Sequence, residues 1–245
     1  MVDWIDKTGR RHNRQFRLYR EADQFRRETE RALEAGTFRP KADKVTVRDA
    51  CTSFLEHCQG RQERGERMTR HCLAVYRGHI NNHVLSKTYG IGATTLARLT
   101  AGIVGDFRDG MRSAGVSVPT ARKVLSTLHG VLQFAIGKEL IAVNPAHGVR
   151  VIGRRDEGSQ KVRPPSKESV AALLMAAGEN RLAIWFAAAT GVRAGEQWAL
   201  RWRHLDLAGG EVAVEARVDC YGRKTRRRRK PGCARSRSVG SSSAL

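Results

Sequence analysis

Arg193 and Glu196 are the residues of this sequence best placed to do chemistry. They sit in the stretch from Arg181 to Asp206, RLAIWFAAATGVRAGEQWALRWRHLD. Three positions apart on a helix, they share one face. Two readings follow. In one, the carboxylate and guanidinium form a structural ion pair that holds a helix junction. In the other, the arginine is held rigidly so that its planar fork grips phosphate oxygens. The carboxylate would then orient it without using all its donors, as a site that stabilises charge during phosphoryl transfer needs.

The elements around the pair can be read from the pattern. An apolar helix spans about Leu182 to Ala189 and breaks at Thr190-Gly191, where glycine permits the left-handed backbone of a tight junction. A second helix is expected to carry Arg193, Glu196, Trp198, Ala199, Leu200 and Trp202, with Ala199, Leu200 and Trp202 directed toward a core. Upstream, Ser166 and Glu168 are placed to cap a helix running to about Ala177. Its inner stripe would be Val170, Leu173, Leu174 and Ala177. Downstream, Gly209-Gly210 makes a turn into a strand over Glu211–Val218.

The charge balance names a class of partner. The 245 residues carry 45 Lys plus Arg against 24 Asp plus Glu, a formal net charge of +21. That excess favours a phosphate-rich partner over an acidic small substrate; an arginine-rich proteome alone could also produce it. No apolar run approaches the roughly 18 residues of a membrane span, and MVDWIDKTGRRH has no hydrophobic signal region. A cytoplasmic, membrane-free protein is expected. The five cysteines at 51, 58, 72, 220 and 233 lack the paired spacing of a zinc site. His79 and His83 are four apart, but no third ligand accompanies them. No metal and no cofactor are expected.

The Arg193 stretch strongly resembles the first catalytic box of the tyrosine recombinase (phage integrase) family, Thr-Gly-x-Arg-x-x-Glu followed by Leu-x-Trp-x-x-Asp. Here the matching residues are Thr190, Gly191, Arg193, Glu196, Leu200 and Trp202, with Asp206 one position late. The resemblance implies a mainly α, multidomain chain with small β elements. It implies a site in which a tyrosine attacks a DNA phosphate while two arginines and a His/Lys set stabilise the charge, without metal. Arg193 would be a catalytic arginine and Glu196 its support. Lys224 is a positional candidate for the family's hairpin lysine.

Residues 1–40 read as a small hairpin plus helix. Strand Val2–Ile5 would turn at Asp6–Gly9 and return over Gln15–Tyr19, with a helix from about Arg20 to Glu34 and Gly36 closing it. It looks like the arm-type DNA-binding domain that opens many integrases, with Arg10, Arg11, Arg14 and Arg17 as DNA contacts. A solvated basic surface is the plainer alternative. Residues 45–150 read as a single-core domain of four helices: Val47 to His57, Met68 to His83, a third after Thr100, and a fourth from Ser117 to about Gly137. In the family, a helical core-binding (SAM-like) domain sits here, followed by Asn-Pro-Ala, which Asn144, Pro145 and Ala146 match. Arg70, Arg77, Arg112, Arg122 and Lys123 are its candidate DNA contacts.

Residues 151–165 are then an interdomain linker. Residues 166–221 resemble the first part of a truncated α+β catalytic domain. From Gly222 the composition becomes Arg, Gly and Ser, that of a disordered basic tail over 222–245. The family's His-x-x-Arg pair, its later His or Trp and its tyrosine nucleophile have no counterpart; Tyr221 lacks the nucleophile's surroundings. The abrupt change suggests a frameshift or premature end. The expected partner is double-stranded DNA, with self-association on DNA and no small-molecule substrate. Two functions stay open: a recombination and integration protein that is catalytically inactive, or a non-catalytic DNA-binding protein acting through residues 1–150.

Overall fold

The fourth predicted helix is the longest of the described elements, and the core forms around it. The computed structural model describes residues 1–5, 9, 11–34, 39, 42–153, 157, 163–226 and 237–238. They fall into two units, 1–160 and 161–245. Helix α5 (Val118–Gly137) starts at Ser117, whose hydroxyl accepts the Thr120 N–H, and carries proline in its first turn. Val124, Leu128, Val131, Leu132 and Ala135 follow at helical spacing and are completely buried.

Three further helices complete that core. Helix α2 (Val47–Glu63) begins in a reciprocal cap: Thr46 accepts the Asp49 N–H, and the Asp49 carboxylate accepts the Thr46 N–H. It buries Val47, Ala50, Cys51 and Cys58. Helix α3 (Arg70–His79) continues into a π turn, Ile80–Val84, which buries Ile80 and Val84. Helix α4 (Ala101–Ser113), capped by Thr100, contributes Val104, Phe107 and Met111. One apolar cluster runs from Ala42 to Val151. Helices α2 to α5 share this one core, and two of them differ from the expected elements. Helix α2 runs six residues past the expected His57, through the polar Gln59–Glu63 segment, because apolar burial on one face tolerates polar residues on the other. The second helix widens into the π turn at its end, which directs His83 toward Tyr89.

Before the helices, β1 (Val2–Ile5) pairs antiparallel with β2 (Arg11–Arg14), with Trp4 opposite His12. Helix α1 (Tyr19–Glu34) covers them, setting Phe25 edge-on to Trp4 at 5.3 Å and against Phe16 at 5.0 Å. The return strand lies earlier than the expected Gln15–Tyr19. Trp4–His12 stacking and the Arg11–Asp3 ion pair set this register, and Tyr19 already belongs to the helix. Gly36 lies outside the described residues.

The second unit has helix α6 (Lys167–Ala176, capped by Ser166) and helix α7 (Arg181–Thr190). One-turn helix α8 (Ala194–Gln197) follows, then a 3-10 turn at Trp202–His204. Strands β3 (Leu205–Asp206), β4 (Glu211–Val212) and β7 (Arg237–Ser238) form one antiparallel sheet in that order; β5 (Ala216–Val218) and β6 (Lys224–Arg226) form a hairpin. Four expectations change here. The helix after Gly191 is a single turn, because Leu200 and Arg201 leave the helical path. Trp202 is 82% exposed rather than directed to a core, while Ala199 is buried. None of Val170, Leu173, Leu174 and Ala177 is buried. The strand expected over Glu211–Val218 is two strands, split at Ala213–Glu215 so that each half pairs with a different partner.

The tail expected to begin at 222 instead begins as β6. The Asp219 carboxylate accepts the Tyr221 and Arg223 N–H groups, and Gly222 supplies a left-handed backbone with φ +76°, which closes the hairpin. Residues 227–236 and 239–245 lie outside the described residues. Among the described residues, no helix is long and apolar enough to cross a membrane.

Candidate phosphate-binding site

Helix α7 ends where Gly191 turns left-handed, with φ +62° and its N–H donated to the Ala187 carbonyl. Val192 is buried, which anchors the chain on the far side of the break. Arg193 is therefore extended, and its carbonyl accepts the Glu196 and Gln197 N–H groups that open α8. Arg193 is the residue that starts the short helix and is not inside it.

This position separates the two jobs that a single ion pair would merge. Glu196, only 13% exposed, accepts the Arg193 backbone N–H at 3.2 Å. Its contact with the guanidinium is long, 3.4 Å, and that guanidinium is 79% exposed. The carboxylate thus fixes the arginine's main chain and leaves most of its five donors open to solvent. Structural pairing and an open guanidinium coexist at one residue.

Lys224 is brought to the same corner through the hairpin. Helix α8 packs on β5 so closely that a Cβ on Gly195 would lie 2.6 Å from the Val218 carbonyl oxygen. Val218 is in turn the register partner of Lys224. One residue of β5 therefore links the turn that positions Arg193 to the strand that carries Lys224. Tyr221 sits in the intervening hairpin turn.

Sequence reasoning passed over His204. It is buried; its Nδ1 accepts the Arg201 N–H at 3.1 Å, and its Nε2 lies 3.3 Å from Arg203 Nε and 3.7 Å from the Glu215 carboxylate. The available signal was a histidine three residues after Arg201 at a helix start, where it can serve as a cap. Asp206, the late match to the box, accepts the Gly209 N–H at 2.8 Å and so shapes the turn into β4.

The expected DNA contacts in the first unit divide by what they touch. Arg10 lies outside the described residues. Arg11 pairs with Asp3. Arg14 lies over the Phe16 and Phe25 rings, 5.3 and 4.9 Å from their centroids, and reaches Asp43 at 3.3 Å. Arg17, Arg70 and Lys123 are exposed. Arg77 donates to Gln59 at 2.9 Å. Arg112 is the least open: it donates to the Val116 carbonyl and to the Glu157 carboxylate. Arg122 donates to the Val151 carbonyl at 3.2 Å through both Nε and Nη2. With Arg108, which reaches the Arg150 carbonyl, these last two hold the segment that leaves the helical unit.

His79 and His83 are engaged by neighbours: Nδ1 of His79 lies 2.8 Å from the Thr127 hydroxyl, and Nδ1 of His83 lies 2.8 Å from the Tyr89 hydroxyl. Among the described residues, no group of three or more His, Cys, Asp or Glu could hold a metal ion.

No protein-family model matches the chain, and no curated protein matches it. Solved structures do. The Tn1549 transposon integrase, solved in complex with a circular intermediate DNA, matches with TM-score 0.57 at 15% identity, over 76% of this chain and 58% of that one. A lambda integrase tetramer bound to a Holliday junction matches with TM-score 0.53 at 19% identity, over 91% and 65%. A lambda integrase dimer bound to a COC′ core site matches with TM-score 0.53 at 20% identity, over 91% and 62%. The chain thus spans 58–65% of the length of these integrases. At such identities the likeness is one of architecture: the chain has a mixed α/β, multidomain fold like that of these integrases.

Proposed function

We propose that this chain is a DNA-binding protein of the site-specific recombination and integration type. The observation that carries the reading is Arg193. Its backbone is pinned by a nearly buried carboxylate while its guanidinium stays open, at the corner that also receives Lys224. That is the arrangement expected of a phosphate-gripping arginine with its support. The net charge of +21 supplies the long-range attraction to a polyanion. The solved integrases of like fold were captured on DNA, which supports the same partner. Double-stranded DNA in the cytoplasm is the proposed target, with self-association on it. Residues 1–40 would serve as an arm-type DNA-binding unit and residues 45–150 as a core-binding one.

Binding is tested by duplex titration over a salt series. The logarithm of affinity should fall linearly with that of salt, with a slope of about 0.9 per phosphate neutralised. A salt-insensitive interaction would overturn the reading. Replacing Arg227, Arg228, Arg229 and Lys230 with alanine separates the contribution of that basic run from that of the rest of the chain.

Residues 1–245 are proposed not to exchange strands by themselves. They hold one arginine of the expected pair and no tyrosine in nucleophile surroundings, and without a nucleophile the covalent route is closed rather than slowed. A nicked duplex that traps covalent protein–DNA adducts gives the test. An adduct formed by these residues and abolished by Tyr221→Phe would refute inactivity and identify the nucleophile.

The second reading, a non-catalytic DNA-binding protein acting through residues 1–150, is favoured by one contrast. The helical unit buries a continuous core, whereas neither α6 nor α7 buries a side chain. Under this reading, Arg193→Ala leaves duplex affinity unchanged.

A further inference from the structure

A groove of about 580 Å³ lies between α5 and residues 146–151, where the chain leaves the helical unit. Its polar lining is Arg122, Ser126 and His129 on α5, with His147 and Arg150 on the opposite wall beside Gly148. Among the described residues, no carboxylate lines it. The carboxylate of Asp109, on α4, is held at 2.8 Å by two nitrogens of Arg108. Among the described residues that line the groove, its cations thus meet donors and no carboxylate.

The donors are oriented by buried chemistry. Asn144 is buried and fully used: its Oδ1 accepts the Ala146 N–H, and its amide nitrogen donates to the His129 carbonyl and to His129 Nδ1. Because Nδ1 accepts, the His129 ring proton sits on Nε2 and remains a donor. Arg122 spends two N–H groups on the Val151 carbonyl, which fixes its plane and leaves three. The His147 ring stands 6.3 Å from that of His129. Gly148, with φ +80°, turns the wall without putting a side chain over the groove. The Asn-Pro-Ala segment thus does more than end the unit: its asparagine aims a histidine.

We infer that this groove binds a backbone phosphodiester of duplex DNA, through Arg122 and Arg150 with His129 and His147 as supporting donors. A lining of donors without acceptor charge selects a group of several anionic oxygens, and arginine forks suit phosphate. The volume exceeds one phosphate and falls in the range of roughly 300–1,000 Å³ typical of ligand sites, so a sugar-phosphate fits. The inference rests on the DNA-binding reading above and adds a contact at the exit of the helical unit. Of its residues, Arg122 alone stands out from the sequence as a candidate.

The test uses the full chain and a double substitution, His147→Ala with Arg150→Ala, both at exposed positions. Duplex affinity over a salt series should lose about 0.9 of slope per phosphate contact removed, which is about eightfold weaker binding at 0.1 M salt. Arg150→Lys should retain the slope. Arg64→Ala, at an arginine paired with Glu66, should leave it unaltered. An unaltered slope in the double variant, with wild-type binding intact, overturns the groove and leaves the DNA-binding reading standing. An equal loss in Arg64→Ala overturns it as a mere effect of net charge. Histidine ring NMR signals separate the sources of phosphate. His129 and His147 should shift with duplex at concentrations where inorganic phosphate does nothing; a response to phosphate and none to duplex overturns the assignment. A wild-type chain that binds no duplex overturns both readings.

Discussion

Gly195 shows how a single atom can govern a corner. A methyl group there would meet the Val218 carbonyl at 2.6 Å, and that contact is backbone, which cannot swing aside. Gly195→Ala should therefore push α8 from β5 at a cost of about 1–3 kcal/mol. Amide exchange across Ala216–Arg226 should be roughly ten- to a hundredfold faster, and unchanged protection would show that the contact carries no strain. Histidines set the pH response of the helical unit. Burial pushes His79 and His83 below the usual imidazole range, and His83 and Lys123 add to the effect on His79. The unfolded chain takes up protons near pH 6.5 that the folded unit resists. This stability is present above about pH 6.5 and is lost as pH falls through that value. Melting temperature should drop between pH 7.5 and 5.5, and the combined His79→Gln, His83→Gln variant should flatten that drop. Burial also pushes the Cys51 thiol up to about 12, so it stays protonated and unreactive.

Elements differ in what holds them. Helix α5 is held by packing: Leu128 is completely buried against the other helices. Leu128→Ala should destabilise the unit by about 2–5 kcal/mol, whereas Thr46→Ala, which removes only the α2 cap, should cost about 1 kcal/mol. Urea titration followed by helix circular dichroism gives both, and equal costs would contradict the packing account. Helix α8 is held by its ends, through the Glu196–Arg193 contact and the Val218 approach. The segment leaving α5 is held by arginines 108, 112 and 122, which reach Arg150, Glu157 and Val151. Of the basic residues that look like one set in the sequence, Arg112 and Arg122 thus also hold this segment in place.

At the scale of the whole molecule, the two units bury their side chains to different degrees. The first encloses a continuous core; in the second, Trp185, Trp198 and Trp202 stand exposed. Three of the four tryptophans therefore report a solvent environment already in the native state. Unfolding in urea should abolish the helix signal while shifting tryptophan emission only slightly. A large red shift would mean that these rings are covered in solution, by another copy or another partner.

The Thr190–Glu196 motif, the glycine break, the Ser166 cap and the helix starts after Thr100 and at Ser117 were all legible in the sequence. Each depends on residues a few positions apart, and local backbone physics fixes such features. The return strand of the first hairpin, the two-strand split after Gly210 and the start of β6 were not legible. They depend on cross-strand partners: Trp4 with His12, and Val218 with Lys224. Charge counting located a basic chain but could not tell an arginine that faces solvent from one that holds a carbonyl. Composition set the expected class of partner and the motif singled out Arg193. Only the tertiary structure decided which guanidinium groups remain open, because that turns on neighbours brought together from distant parts of the chain.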